Sequence, residues 1–569
     1  MLTLSRVRHV QPIELPVRAR AAVADLRALL PRSPPQLGPA RWLSPLTRPD
    51  GAARDTLAAA VHRWRSDPQM LGGPVPPWSP EPGWAQRPAW TIPWRRHNIR
   101  PTWERHRLLH VQRLALAGLW LDDPHATHSA QRELDDYLQH NPPGRGVGWT
   151  SALEVAHRTV SLLLLRRLLD APVDDHLARA GHHLATHPSL GSSLGNHTVG
   201  EAAALVTLAC LAPRLPGAEG WRALGLTRLA HAIPRVLSAD GHGRELATGY
   251  TAAVLEWCLI ARAAHGPLPA DRCLARAAAA LSAWCDLGGP DRGDRDGSCV
   301  LDGGDASTRS IAGCAASAMG VPGPTGWVPD GRAALLELGP CPPGAQGVRT
   351  TGGWTSLSQL IDGVRWTVLV GLGPTGFPPL ASHGHDDGGS VWLSVGDTPV
   401  LVDRGTPIYA GDLRLRAWCR GAAAHSVPLL DGHGPAEPTG VFGWRRQGQT
   451  RLISRTDTQV CVRIEGWPGR AILRTIQLGP EGLTLHDRVV GRPARHAAVS
   501  LHLPVGARIA DAIYIGGLSP LRLTSDLDPA VLPTAHAEGY NRTASAPTLR
   551  LTTTRNSWRM NLAPHSMRS

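Results

Sequence analysis

The 569-residue sequence contains no lysine, only two phenylalanines and only five tyrosines. Its positive side is therefore all arginine, most simply a nucleotide-composition bias, and the formal net charge is +13. That field favours polyanionic partners, and arginine presents a planar fork suited to carboxylate and sulfate. Basic runs, a basic tail, an RNP-like motif and aromatic–basic interleaving are all missing, which argues against nucleic acid as the partner. Long apolar runs are missing too, so no transmembrane segment is expected. The N-terminus lacks the apolar core of roughly 7–15 residues that a secretory signal needs. The chain as given is therefore expected in the cytoplasm, with a periplasmic or secreted location as the alternative. Nine cysteines, an odd number, run from Cys210 to Cys461 without a C-x-x-C pair, which excludes a disulfide framework.

What is present is ample material for globular cores: 42% of residues are hydrophobic, and the length allows about two to four domains. Up to about residue 335 apolar positions recur at helical spacing. This predicts helices near 18–30, 53–65, 103–120, 127–139, 150–169, 174–186, 198–212, 221–236, 249–264 and 269–287. Many paired helices with short Pro/Gly connectors predict an incomplete α/α toroid. A Pro- and Trp-rich section, 68–103, with Trp78, Trp84, Trp90 and Trp94, is expected to wrap its outside. A Gly- and Asp-rich stretch, 289–348, reads as loops and a crossing. From about 350 the period changes to two, in short runs separated by Gly or Asp turns, which predicts an antiparallel β-sandwich. The fold class is α+β multidomain, with helical residues 1–335 followed by a sandwich over 346–569.

Three segments carry chemistry. Ser382-His383-Gly384-His385-Asp386 is followed by Asp403, 18 residues beyond His385, and by Ala424-His425-Ser426. Imidazole and carboxylate are ligand types that Zn²⁺ takes, and two histidines at i and i+2 on a strand share one face. Leu194-Gly195-Asn196-His197-Thr198-Val199-Gly200-Glu201-Ala202 reads as a loop entering an Ala-rich helix. That places Asn196 and His197 at a helix N-terminus, where an anion is favoured; an Asn cap with a structural His is the plainer alternative. Asp240-Gly-His-Gly-Arg-Glu245 leads through Ala247 to Tyr250, one of the five tyrosines.

These segments resemble the heparinase II/III family of polysaccharide lyases. The likeness rests on H-x-H before a hairpin ending V-D-x-G, then A-H-[NS]; on N-H-x-x-G-E-A; and on D-G followed by E-x-x-x-x-Y. Trp149, Glu154 and Arg158 match a further W-x-x-x-x-E-x-x-x-R, and Gly304-Asp305 a family loop, so the likeness spans about 145–430. It implies β-elimination on a 4-linked uronate. Asn196 and His197 would bind the uronate carboxylate, with His383 assisting. Tyr250 would be the acid, and also the base in a syn elimination; His197 or His383 would be the base in an anti elimination. Glu201 would orient His197, or be a plain helix-face residue. His385, Asp403 and His425 would hold a structural Zn²⁺ that pins the loop carrying His383. Two positions depart from the pattern: Thr251 stands where the family commonly has His, and Ala247 where it usually has Ser.

The partner implied is an acidic polysaccharide. Removing C5–H next to the uronate carboxylate needs that charge neutralised by placed donors, a base for the proton and an acid for the O4 leaving group. Two other classes stay open. A glycoside hydrolase would need paired carboxylates, for which Glu201, Glu245, Asp305 and Asp386 are candidates. A non-catalytic acidic-polysaccharide-binding protein of exopolysaccharide assembly is the other. Arg244, Arg404 and Arg420 are candidates to read sulfate or further carboxylates, with solvated surface positions as the alternative.

Overall fold

The computed structural model describes Ala21, Val23, Leu37 and residues 39–564 other than 50, 71–72, 94–98, 190–193, 296, 298, 304, 345–347, 410 and 511. The helix expected over 18–30 lies outside these residues except at Ala21 and Val23. Trp94, Gly304 and the Trp90 side chain also lie outside them. The chain forms two compact units. One takes Met1–Leu237, Ala252–Ala278 and Gly297–Pro343; the other takes Ser238–Thr251, Ala279–Asp296 and Gly344–Ser569. Two segments from the helical part of the sequence, 238–251 and 279–296, thus group with the strands. A reading of local periodicity cannot register such an excursion.

The first unit is an incomplete α/α toroid. Its helices are α1 Ala52–Ser66, α2 Arg100–His106, α3 Leu109–Trp120, α4 Pro124–His140, α5 Ala152–Leu169, α6 Asp174–Thr186, α7 Asn196–Leu211, α8 Ala218–Val236, α9 Thr248–His265, α10 Asp271–Asp286, α11 Thr308–Met319 and α12 Gly331–Leu335. The first turn of α9 and the end of α10 count with the second unit. In α4, Pro124 occupies the first turn, Asp123 caps it by accepting from the Ala126 amide, and Ala126, Ala130, Leu134 and Tyr137 form the buried stripe. The single helix expected over 103–120 is two, because Leu108 adopts φ 61° between them. The stretch read as loops contains α11, whose small residues carry little periodic signal; Ser307 caps it and Gly320 at φ 64° ends it.

Helix α7 is buried nearly all round. Its Gly200 faces Trp257 and Leu153 so closely that a Cβ there would collide with both. Buried ion pairs lock the helices. Arg107 donates to both Glu154 oxygens, at 2.7 and 2.8 Å, and Arg332 Nε donates to Glu256 at 2.6 Å. The Val300 and Leu301 amides also donate to Glu256. Glu154 and Arg158, singled out in the sequence, are part of this scaffold: Arg158 donates to the Gly148 carbonyl and lies 4.9 Å over Trp149. No described helix is long and apolar enough to cross a membrane.

The second unit is a β-sandwich. One antiparallel sheet has the strands β1 Trp354–Ile361, β2 Val364–Gly371, β3 Val391–Val395 and β4 Thr398–Leu401 in that order. A second, of nine strands, centres on Arg470–Gly479 and Gly482–Gly491, paired from Arg470–Gly491 to Gly479–Gly482. A third, of four strands, contains Ala497–His502 between Leu429–Leu430 and Arg542–Thr553. Alternating inward residues such as Val460, Val462 and Ile464 meet Leu357, Val368 and Leu393 in one core. Asp528–Gly539 is an edge strand that carries Pro529 and Pro533; proline is tolerated at such an edge. The excursion 279–296 is anchored on the first sheet by Trp284, which packs edge-on against Trp354 and Trp392.

Candidate active site

In the second unit one buried carboxylate gathers the site. Gly293 has φ 69°, and a Cβ there would lie 2.7 Å from the Leu246 carbonyl oxygen. Glycine therefore lets segment 290–294 run against the turn before α9. Next comes Asp294, fully buried, with its amide donating to the His383 carbonyl at 2.9 Å. Its carboxylate accepts from Arg416 Nη1 and Nη2 at 2.5 and 2.7 Å, from His383 Nδ1 at 3.2 Å and from His385 Nε2 at 3.0 Å. Burial alone would push this carboxyl up. The Arg416 guanidinium and the two imidazole hydrogen bonds outweigh it and hold Asp294 well below the usual range. Arg416 lies on α13, Leu413–Arg420, an element the sequence reading missed; Asp412 caps it by accepting from the Arg414 and Leu415 amides.

The consequence for His383 is a fixed orientation. Nδ1–H is directed at an ionised carboxylate, so in the neutral ring the lone pair is on Nε2. Glu245 Oε2 is 3.9 Å from that nitrogen. Tyr250, in the first turn of α9, stacks on His383 with ring centroids 3.9 Å apart, and its hydroxyl is hydrogen-bonded to the Tyr409 hydroxyl at 2.9 Å. Two phenols and an oriented imidazole in contact can pass and accept protons. Tyr409, Asp294 and Arg416 were not found from sequence. Tyr409 offered one signal, being a rare tyrosine six residues past Asp403.

The expected metal set is divided. His385 Nε2 faces Asp294 and Thr406, whereas His425 Nδ1 faces Asp403 Oδ2 at 2.9 Å. The rings are 5.3 Å apart, and the other nitrogens, His385 Nδ1 and His425 Nε2, are buried without a hydrogen-bond partner among the described residues. Two buried imidazole nitrogens that lack a partner fit a metal ion. Asp403, however, sits on the opposite nitrogen of His425 and also accepts from Trp392 Nε1 and the Gly405 amide. Among the described residues no three His, Cys, Asp or Glu side chains come together as a metal-holding group. Burial lowers the His385 imidazole; burial would lower His425 too, but the Asp403 charge lifts it above its ordinary value.

The remaining expected residues lie in the first unit. Gly195, at φ 110°, precedes α7, and Asn196 and His197 are its first two residues, Asn196 buried and His197 half-buried. Glu201 is buried one turn on. Burial pushes its carboxyl up to about 7, although the Ser189 amide and hydroxyl both donate to it, at 2.8 and 2.5 Å. The described bonds of Glu201 thus go to Ser189.

Both departures from the family pattern are packed inward. The Thr251 hydroxyl donates to the Ala247 carbonyl at 3.1 Å and faces Gly243, and Ala247 is buried against Gly293. The arginines divide differently from the expectation. Arg244 is exposed, but Arg404 and Arg420 are neither solvated nor turned to a ligand. Arg404 donates to the Leu503 and Pro547 carbonyls, and Arg420 to those of Val441, Phe442 and Gly443. Carbonyls that need donors consumed both forks, which residue type alone does not reveal.

Comparison with known proteins agrees with these elements. A sequence profile described as Heparinase II/III N-terminus matches residues 89–265, and one described as Heparinase II/III-like, C-terminal, matches 348–564. No curated protein sequence matches. Among solved structures, a heparinase III is similar at 15% identity over 96% of this chain and 89% of that one, with TM-score 0.64. A mutant of the heparan sulfate lyase HepC from Pedobacter heparinus is similar at 16% identity over 96% and 88%, with TM-score 0.56. Both halves match in order and the fold is shared: the chain belongs to the heparinase II/III-like family.

Proposed function

We propose that the protein is a polysaccharide lyase that cleaves a 4-linked uronate polymer by β-elimination, leaving an unsaturated uronate end. The observation that carries this reading is Tyr250 stacked on His383 and bonded to Tyr409, with His383 held through Nδ1 by Asp294. In the proposed reaction Tyr250 delivers the proton to the O4 leaving group. C5–H is taken by Tyr250 in a syn elimination, or by an imidazole, His197 or His383, in an anti one. Asn196 and His197 neutralise the uronate carboxylate at the start of α7, where amide dipoles favour an anion, and so stabilise the charge that develops. Glu201 ties Ser189 to this helix one turn beyond its start.

A structural zinc ion on His385 and His425 belongs to the same proposal, supported by their two bare imidazole nitrogens; Asp403, expected as a third ligand, would instead orient His425 through its opposite nitrogen. Metal content of the purified protein, wild type against His425→Ala, tests it; equal content in both would overturn it.

The hydrolase alternative is weaker on this geometry. Asp386 is buried and accepts from the Ala436 amide, and Asp305 accepts from the Ser307 amide beside α11. The test is growth of unsaturated-uronate absorbance with heparosan, hyaluronan, chondroitin and polymannuronate. A rise that falls about 10²–10⁴-fold in Tyr250→Phe is expected, the typical worth of one acid–base group. A hydrated reducing end in place of the chromophore would indicate hydrolysis instead.

A further inference from the structure

The chain holds 27 aromatic side chains, 20 Trp, 5 Tyr and 2 Phe. Among those whose side chains are described, Phe442 alone is exposed, at 37%. It is not at a random surface point. Its ring packs edge-on against His383, with centroids 5.6 Å apart, and against Tyr409, at 5.7 Å. It sits at the tip of a two-stranded ribbon, Glu437–Thr439 and Gly443–Arg446, that turns at Gly440.

The tip is fixed in an unusual way. Arg416 Nε donates to the Val441 carbonyl at 3.0 Å. Arg420 donates through Nη1 to the Val441 and Gly443 carbonyls, at 3.1 and 3.2 Å, and through Nη2 to that of Phe442, at 3.3 Å. Three consecutive carbonyls are thus captured by two guanidiniums of one short helix. Arg420 is fully buried and makes no ion pair with any described residue; its charge rests on carbonyls and on the Trp444 ring, 4.3 Å away. Burying an arginine without a carboxylate is costly, and burial holds its guanidinium down to about 9. The same short helix thus orients His383 through Asp294 and fixes the ring beside it.

We propose that Phe442 is a sugar-stacking platform, receiving the apolar face of the pyranose next to the cleaved uronate, and that Arg420 is its positioning residue. This rests on the lyase reading above. A pyranose presents a C–H face that an aromatic ring covers without needing hydrogen bonds, and a ring clamped by its own backbone binds without ordering a loop. Edge contact with His383 registers the bound sugar against the reacting one.

The experiment measures binding and turnover separately, with the same four polymers. Binding is followed in Tyr250→Phe, which is silenced, and in Tyr250→Phe/Phe442→Ala; turnover is followed in wild type, Phe442→Ala and Phe442→Trp. A roughly tenfold weaker affinity in the double variant is expected, with KM raised by a similar factor in Phe442→Ala, kcat nearly unchanged, and recovery in Phe442→Trp. Arg420→Lys, which keeps charge but not the fork, is expected to follow Phe442→Ala. Turnover with KM unmoved, or kcat lost in place of KM, would overturn the platform and leave the lyase reading standing. Polymer binding that depends on Phe442 without any unsaturated product would overturn the lyase reading and keep the platform. Neither binding nor turnover with any of the four would overturn both.

Discussion

Each unit buries carboxylates with arginine, but to different ends. In the helical unit Glu154 is consumed by Arg107, and Glu256 by Arg332 together with two backbone amides. In the second unit Asp294 is shared by Arg416 and two imidazoles. A carboxylate matched to guanidinium and amides is a strut: both of its oxygens are engaged. One that also receives imidazole N–H fixes which nitrogen of each ring stays available. The same elementary pairing therefore gives scaffold at Glu154 and Glu256, as it does at Asp487 with Arg474 in the second unit, and an oriented imidazole at Asp294.

The largest expected effect breaks the second of these. Asp294→Asn leaves the geometry nearly in place but no longer favours Nδ1–H on His383, so kcat is expected to fall about 10²–10⁴-fold. It also leaves Arg416 buried without its counter-ion, so stability is expected to drop by roughly 3–5 kcal/mol. Urea unfolding read beside kcat at saturating polymer separates the two. Activity that merely follows the folded fraction would refute an orienting role.

Next is the corresponding strut. Glu256→Gln is expected to cost up to about 3–5 kcal/mol, because Arg332 remains buried with only Asp330, 3.9 Å away, as counter-charge. The kcat and KM of the protein that stays folded are expected to match wild type. Glu256→Met with Arg332→Leu, which removes both charges, is expected to recover most of the loss. A change in KM or kcat from Glu256→Gln would show that the pair is not a mere strut.

The comparison also explains what was legible in sequence. Tyr250 and His383 stand in short motifs, and the sandwich announces itself by alternation, as in Gln459–Glu465, where Val460, Val462 and Ile464 are buried and the residues between them are not. Asp294 and Arg416 escaped because their partners are remote, 89 positions from His383 and 122 from Asp294. Helix α13 is eight residues long and reads LRLRAWCR, too short and too basic to announce a buried face. Arg420 was misjudged for a related reason: an arginine that serves backbone carbonyls is indistinguishable in sequence from one that serves solvent. The part of the excursion from 289 on reads as loops and a crossing because Gly and Asp dominate it, yet those residues supply the close approach at Gly293 and the hub at Asp294.

The smallest predicted effect is also the sharpest for this comparison. Asp123 and Asp412 both cap helices, the first by accepting from Ala126 in the helical unit, the second by accepting from Arg414 and Leu415. Replacing either by alanine is expected to cost about 1 kcal/mol of stability, the usual worth of an N-cap. The functional outcomes should differ. α4 carries only packing residues on its buried face, so Asp123→Ala is expected to lower the unfolding midpoint and nothing else. α13 has two turns, and both Arg416 and Arg420 hang from it, so fraying at its start loosens Asp294 and the Phe442 tip together. Asp412→Ala is therefore expected to raise KM about two- to fivefold at temperatures where the protein is fully folded. Equal KM for the two alanine variants would mean that α13 is held by its arginines rather than by its cap, and that the clamp tightens its own helix.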